Sequence, residues 1–148
     1  MSYIDKNLLQ DERVVYRARL HWIIFAKAVV VLAFGLGLLV SLGADARPVG
    51  GVVALVGLLL LVPPLVAYRT TEFGVTNKRV IIKTGFIRRH TLELLLRQVE
   101  AISVDQSLTG RLLGFGSLTL TGTGGVRELF HRVVDPLEFR RRIQGQTA

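Results

Sequence analysis

The sequence predicts an α+β chain: an N-terminal two-helix transmembrane hairpin, then an antiparallel strand-rich domain closed by a C-terminal helix. Three observations predict it. Residues 22–42 form an apolar run broken only by Lys27, and residues 52–68 form a second run with no charge. After Tyr68 the apolar residues alternate every second position, the period of a half-buried strand. Near the end, Asp135 and Pro136 are suited to start a helix, and Phe139 and Ile143 lie four apart on one face.

Residues 1–21 are a cytoplasmic lead-in. Within them residues 13–20 alternate, with Val14, Tyr16 and Ala18 against Val15, Arg17 and Arg19. This predicts a strand that joins the later sheet, with the hairpin inserted after it; otherwise a sheet edge would lie open.

Residues 22–68 are the hairpin. A hydrocarbon core of about 30 Å needs roughly 20 helical residues at about 1.5 Å each, so each run can cross it. The short connector, residues 43–51, forces the two spans antiparallel. Gly35, Gly37 and Ser41 on one side and Gly50, Ala54 and Gly57 on the other are small, which lets backbones approach where lipid supplies no hydrophobic drive. Pro63 and Pro64 are expected to kink the second span about a turn before it exits, because proline cannot donate to the helix ladder. Trp22 and Tyr68 stand where aromatic rings meet headgroups, and Lys27 can snorkel to the same level.

Lys6, Arg13, Arg17 and Arg19 precede the first run and a basic stretch opens at Arg69, while the connector holds only Arg47 against Asp45. Lysine and arginine stay inside, so a multi-pass protein of the inner cell membrane with both termini cytoplasmic is expected. A signal peptide is the rival for the first run, and Ala44-Asp45-Ala46 offers a small-x-small pattern. Asp5, Asp11 and Glu12 make a poor n-region, so an uncleaved anchor is expected.

Residues 69–148 suffice for one small domain with a modest core. Phe73 and Val75 alternate with Glu72 and Gly74. Thr76-Asn77-Lys78 signals a tight turn, because Asn tolerates left-handed backbone. Val80 and Ile82 follow, then a turn at Lys83-Thr84-Gly85. A long strand is expected over 86–96, another over 99–105, and one over 117–121 with Leu118 and Leu120 inward. Thr123-Gly124-Gly125 turns the chain into 126–130. Short strands joined by turns predict an antiparallel meander or barrel. Asp135 is read as the N-cap of the last helix, with Glu138 completing a capping box and Arg140, Arg141 and Arg142 toward its negative end. Its apolar stripe is narrow, so the helix is expected to plug the open end of the barrel.

The phrases VTNKRVI at 75–81, QSLTGRLLGFGSLTL at 106–120 and RARLHW at 17–22, with the capped helix at Asp135-Pro136, resemble the bacterial pleckstrin-homology family of small membrane proteins. The resemblance covers nearly the whole chain. It implies a PH-like, seven-stranded, partly open antiparallel β-barrel capped by a C-terminal helix, and no enzymatic activity. Better-known PH domains bind phosphoinositides around a long first hairpin loop. Here the turn at Asn77 is tight and Lys78, Arg79 and Lys83 lie on strands, so no inositol-lipid site carries over.

Composition narrows the chemistry. The 148 residues include no cysteine, which excludes disulfides, thiolate catalysis, Cys-ligated zinc and iron–sulfur clusters. His21, His90 and His131 show no ligand spacing, so neither a metal nor a cofactor is expected. No serine sits in a nucleophile elbow and no carboxylates form an acid/base pair, so no enzyme is expected. The glycines at 110, 114 and 116 lack a Gly-Lys-Ser/Thr ending and precede a strand, so they read as turn geometry rather than a phosphate loop.

Charge remains. The net charge is +8, and from Arg69 onward thirteen basic residues face seven acidic ones, a net +6. Such a domain tethered beside a bilayer suits anionic lipid headgroups, at about 1 kcal/mol per nearby cation. Nucleic acid is a more distant anion and is not expected as a partner. Arg88, Arg89 and His90 form the densest cluster, and Lys78, Arg79 and Lys83 on the adjoining strand can extend it into a cationic face; ordinary solvated charge is the plain alternative. Arg111 sits among Leu108, Leu112, Leu113 and Phe115, which either cap the core (the first expectation), touch lipid or meet a partner.

The expected function is a non-enzymatic, membrane-anchored module for protein interaction, with a membrane protein or itself, or for contact with the anionic bilayer surface. The alternative is a small oligomeric transport or pore component built from the hairpin, whose spans offer Lys27 but little else to line a path.

Overall fold

The computed structural model describes residues 2–41 and 43–148, apart from the side chain of Ala46. Leu42, the expected end of the first span, lies outside the described residues. The strand-rich unit opens with a short helix, α1 (Tyr3–Lys6), and strand β1 (Val14–Ala18). A 3-10 turn (Trp22–Phe25) then leads into α2 (Ala26–Ser41), and a second turn (Ala44–Ala46) leads into α3 (Arg47–Leu60) and α4 (Val62–Thr70). The chain returns as β2 (Glu72–Thr76), β3 (Arg79–Thr84), β4 (His90–Leu95) and β5 (Val99–Asp105). It ends with α5 (Leu108–Leu113), β6 (Phe115–Gly122), β7 (Val126–Val134) and α6 (Pro136–Thr147). Contacts divide this into two compact units: residues 2–21 with Thr70–Ala148, and Trp22–Arg69.

In the helical unit, Trp22–Ser41 and Arg47–Thr70 are each long and apolar enough to cross a membrane. The second begins at Arg47 rather than Val52, because Pro48 sits in the first turn, where its missing N–H has no intrahelical partner to lose. It breaks at Leu61, whose N–H reaches back three residues to Leu58 O at 3.2 Å. Pro63 and Pro64 follow and have no N–H for the carbonyls of Leu59 and Leu60.

The helices pack antiparallel through glycine. A Cβ on Gly35 would lie 2.3 Å from Ala54 N, one on Gly57 2.5 Å from Leu32 N, and one on Gly50 2.8 Å from Leu39 N. Ala28 is buried as well. Gly37 and Ser41, also expected at this seam, face away from it: open space surrounds Gly37, and both residues are exposed. The large side chains, including Val30, Phe34, Val40, Val52 and Leu59, point outward.

The strand-rich unit holds seven strands among the described residues, in a four-stranded sheet β1-β2-β3-β4 and a three-stranded sheet β5-β6-β7, all neighbours antiparallel. Phe73, Val80, Ile82, Leu118, Leu120, Phe130 and Val133 pack between them with Phe139 and Ile143 of α6. Phe73 meets Phe130 and Phe139 edge-on, at centroid distances of 5.6 and 6.3 Å. The lead-in forms β1 and pairs with β2, and its continuation touches the other sheet through the bridge Leu20↔Val133. With β1 as the first strand, the Asn77 turn is the second hairpin. The first connection, β1 to β2, is the segment that contains the apolar helices.

Four local expectations are corrected. The long strand over 86–96 begins only at His90, because Gly85 takes φ +82° and residues 86–88 bend away from the sheet. Asp135 does not cap α6 with its side chain. It adopts φ +43°, and its main chain bonds instead, N–H to Gly114 O at 3.0 Å and C=O from Phe139 N at 3.1 Å. Glu138 pairs forward with Arg142 at 2.7 Å, so no capping box forms, and Arg140, Arg141 and Arg142 lie mid-helix.

Candidate functional site

The six candidate cations do not form one face. Arg79 opens β3, Lys78 sits in the Asn77 turn before it rather than on a strand as expected, and Arg88 and Arg89 lie beyond the other end of β3, in the loop that joins it to β4. Arg111 sits on α5. They also divide by what they touch.

Lys78, Arg79 and Lys83 hold the lead-in on the outside of the four-stranded sheet. Arg79 is buried, which removes it as a headgroup contact. Its guanidinium donates from Nε and Nη2 to the two oxygens of Glu12, both at 3.0 Å, from Nη2 to Asn7 O at 2.6 Å, and from Nη1 to Glu93. Glu12 also accepts from Thr76 Oγ1 and from Leu9 N–H, each at 2.7 Å. Burial by itself would raise the Glu12 pKa; the bonds from Arg79, Leu9 and Thr76 outweigh it and leave the carboxyl below its ordinary value. The Glu12 hydrogen bond likewise raises the Arg79 pKa against the opposing effect of burial.

The same device recurs along the strand pair. Lys83 lies 4.9 Å from the centre of the Tyr3 ring. Glu72 accepts from Ser2 Oγ and from the N–H groups of Tyr3 and Ile4, at 3.2 and 3.3 Å for the latter two. Burial would raise the Glu72 pKa, but these bonds and nearby Lys83 lower it. Between the two ends Ile4 is buried over Gly74, where a Cβ would fall 2.6 Å from Ile4 Cδ1; Gly74 pairs with Ile81, itself fully buried. Lys78 adds a bond from its ammonium to Gln10 O at 2.6 Å. Sequence reasoning missed this latch. Its partners are about seventy residues apart, and nothing local in the chain announces a buried carboxylate.

Arg88, Arg89 and Arg111 are exposed, and among the described residues no carboxylate stands within ion-pair distance of them. Around Arg111 the expected core cap is overturned. Leu108 and Leu112 are 80% and 86% exposed, because α5 is a single tight helix held off the core by its own caps. Ser107 Oγ accepts from Gly110 N at 3.1 Å, and Gly114 ends the helix at φ +77°. Only Phe115 turns inward, its ring 5.0 Å from that of His21.

A groove of about 720 Å³ offers a different surface. One wall is β5, from Val99 to Ile102; another is the end of α6, at Ile143, Gln144 and Thr147; Lys78, Leu95 and Arg97 complete it. β5 pairs with β6 on one side only, so its other edge carries main-chain groups without a strand partner. His90 lies 3.6 Å from Glu128, and His131 bonds Ser117 at 3.0 Å. Among the described residues no three His, Asp or Glu side chains gather as a metal site.

Comparison with known proteins bears on this architecture. The model of the bacterial PH domain family matches residues 26–147, which takes in the apolar helices as well as β2 to α6. The crystal structure of a DUF1696 family protein with a pleckstrin-homology domain, from Shewanella loihica PV-4, is similar with a TM-score of 0.50 at 9% identity, over 98% of this chain and 90% of that one. At such identity the likeness concerns fold alone. No curated protein matches the chain.

Proposed function

This chain belongs to the bacterial PH domain family, and from that premise we propose that it is a non-enzymatic interaction module anchored in the inner membrane by its helical hairpin. The observation that carries the anchor is the inverted packing of Trp22–Arg69: glycine and alanine inside, valine, leucine and phenylalanine outside. Water is a poor solvent for that surface and lipid a good one. The Trp22–Ser41 and Arg47–Thr70 helices have the needed length. Arginine and lysine flank the hairpin on the side of both termini, which supports a cytoplasmic strand-rich unit.

The module's binding face is the groove between β5 and α6. An unpaired strand edge beside a helix accepts an extended segment of a protein partner by main-chain pairing, with side-chain pockets supplying specificity. Reporter fusions and alkaline extraction test the anchor: a carboxyl terminus outside the cell, or release at high pH, overturns it. For the groove, a photo-crosslinking residue in place of Glu100 in the full chain should capture a protein in intact cells, while one in place of Thr123 should not. Equal yields at the two positions overturn the groove as the binding face.

A further inference from the structure

The loop between β3 and β4 lies beside the point where the chain returns from the hairpin. Glu72 faces Lys83 across β2 and β3, and Thr84, the next residue of β3, pairs with His90 of β4. Thr71, Leu20 and the two feet of the loop, Thr84 and His90, line one cavity of about 310 Å³. Residues 85–89 extend past this edge, at the end of the sheet where β2 begins. Their shape is set by backbone: at Gly85 (φ +82°) a Cβ would meet Arg88 O at 2.2 Å.

The tip of this loop is apolar and convex. Ile87 is 97% exposed and Phe86 64%, with Arg88 and Arg89 exposed next to them, and neither apolar residue lines a cavity described above. A rigid partner needs a matching pocket to desolvate such a tip. A lipid interface does not: it takes the apolar pair among acyl-chain ends while guanidinium forks bind headgroup phosphates.

We infer that Phe86, Ile87, Arg88 and Arg89 form an interfacial anchor that dips into the anionic leaflet beside the hairpin. This rests on the hairpin being membrane-spanning. The consequence is orientation. The groove wall at Lys78, Leu95 and Arg97 lies at the other end of the β3–β4 pair. With the tip in lipid, the groove opens toward the cytoplasm.

The chain has no cysteine, so single-cysteine variants report unambiguously. The full chain is reconstituted in vesicles of phosphatidylethanolamine with phosphatidylglycerol, and Ile87→Cys, Arg97→Cys and Val56→Cys are labelled with the fluorophore NBD. The expected result is blue-shifted emission at positions 87 and 56, quenched by nitroxide lipid and protected from iodide, with position 97 open to iodide. Replacing phosphatidylglycerol by phosphatidylcholine, or adding Arg88→Gln and Arg89→Gln, should reduce the nitroxide quenching at 87 and leave 56 unchanged. An iodide-accessible probe at 87 with a lipid-buried probe at 56 overturns the anchor and leaves the hairpin reading standing. Iodide access at both positions overturns the hairpin reading itself. Equal quenching at 87 in neutral and anionic vesicles overturns the role of the arginines.

Discussion

In the strand-rich unit the buried side chains are large: Phe73, Phe139, Ile82, Leu118 and Leu120 fill the space between two sheets. In the helical unit they are Ala28, Gly35, Gly50, Ala54 and Gly57, and the large apolar residues face outward. The first unit also buries charge, in Glu12 and Arg79. The contrast shows one chain using two packing rules. Where water is the solvent, bulk goes inside because removing apolar area from water drives folding. In lipid, the solvent proposed above for the helical unit, that drive vanishes, and close backbone contact through small residues takes its place.

Core truncation should separate the two rules most sharply. Phe139→Ala removes a fully buried ring that contacts Phe73 and Tyr16. It is expected to cost about 3–5 kcal/mol in denaturant unfolding of the strand-rich unit. A loss under about 1 kcal/mol would contradict its place in the core. Arg79→Met should cost a comparable or slightly smaller amount, about 3 kcal/mol, by leaving the Glu12 carboxylate buried without its partner. Adding Glu12→Gln should recover part of that loss, and a double-mutant cycle with strictly additive terms would deny the coupling.

Gly35→Val tests the other rule. Its side chain would meet the Ala54 backbone, so a cost of about 1–3 kcal/mol and a wider helix pair by spin-label distances are expected. Gly37→Val, which meets open space, should do neither. Equal effects at the two positions would break the comparison.

The smallest effect should come from pH. Glu12 and Glu72 have folded pKa values below the ordinary 4.5. Their contribution is therefore complete above about pH 5 and is lost progressively as pH falls through 4.5 toward the folded values. Acid unfolding of the strand-rich unit should follow that window, and Glu12→Gln with Glu72→Gln should flatten the curve.

Local chemistry explains which features were legible in the sequence. The apolar runs, the β1 alternation, the Asn77 turn and the Phe139–Ile143 stripe depend on residues within a few positions of one another. The sequence runs a strand through 86–89 and gives Leu108 and Leu112 a core-capping place, because apolar residue type alone does not show which of them a neighbour covers. What exposes them is the left-handed Gly85 in one case and the caps at Ser107 and Gly114 in the other. Among the candidate cations, residue type identified all six as positive, yet Lys78, Arg79 and Lys83 hold the lead-in, and Lys78, Arg88, Arg89 and Arg111 are exposed.

The one-dimensional pattern determined where the apolar helices lie, that strands follow them, and which glycines and alanines were available for a close seam. Periodicity and composition are properties of neighbours along the chain, and they need no partner to be read. Only the tertiary structure decided that Glu12 reaches Arg79, that Gly35 and not Gly37 meets the facing helix, and that Ile87 points outward while Ile81 is sealed beneath Ile4. Those outcomes depend on which distant segment arrives to cover a residue rather than on the residue itself: the lead-in, paired through β1 on β2, covers Arg79, the facing helix meets Gly35, and none covers Ile87.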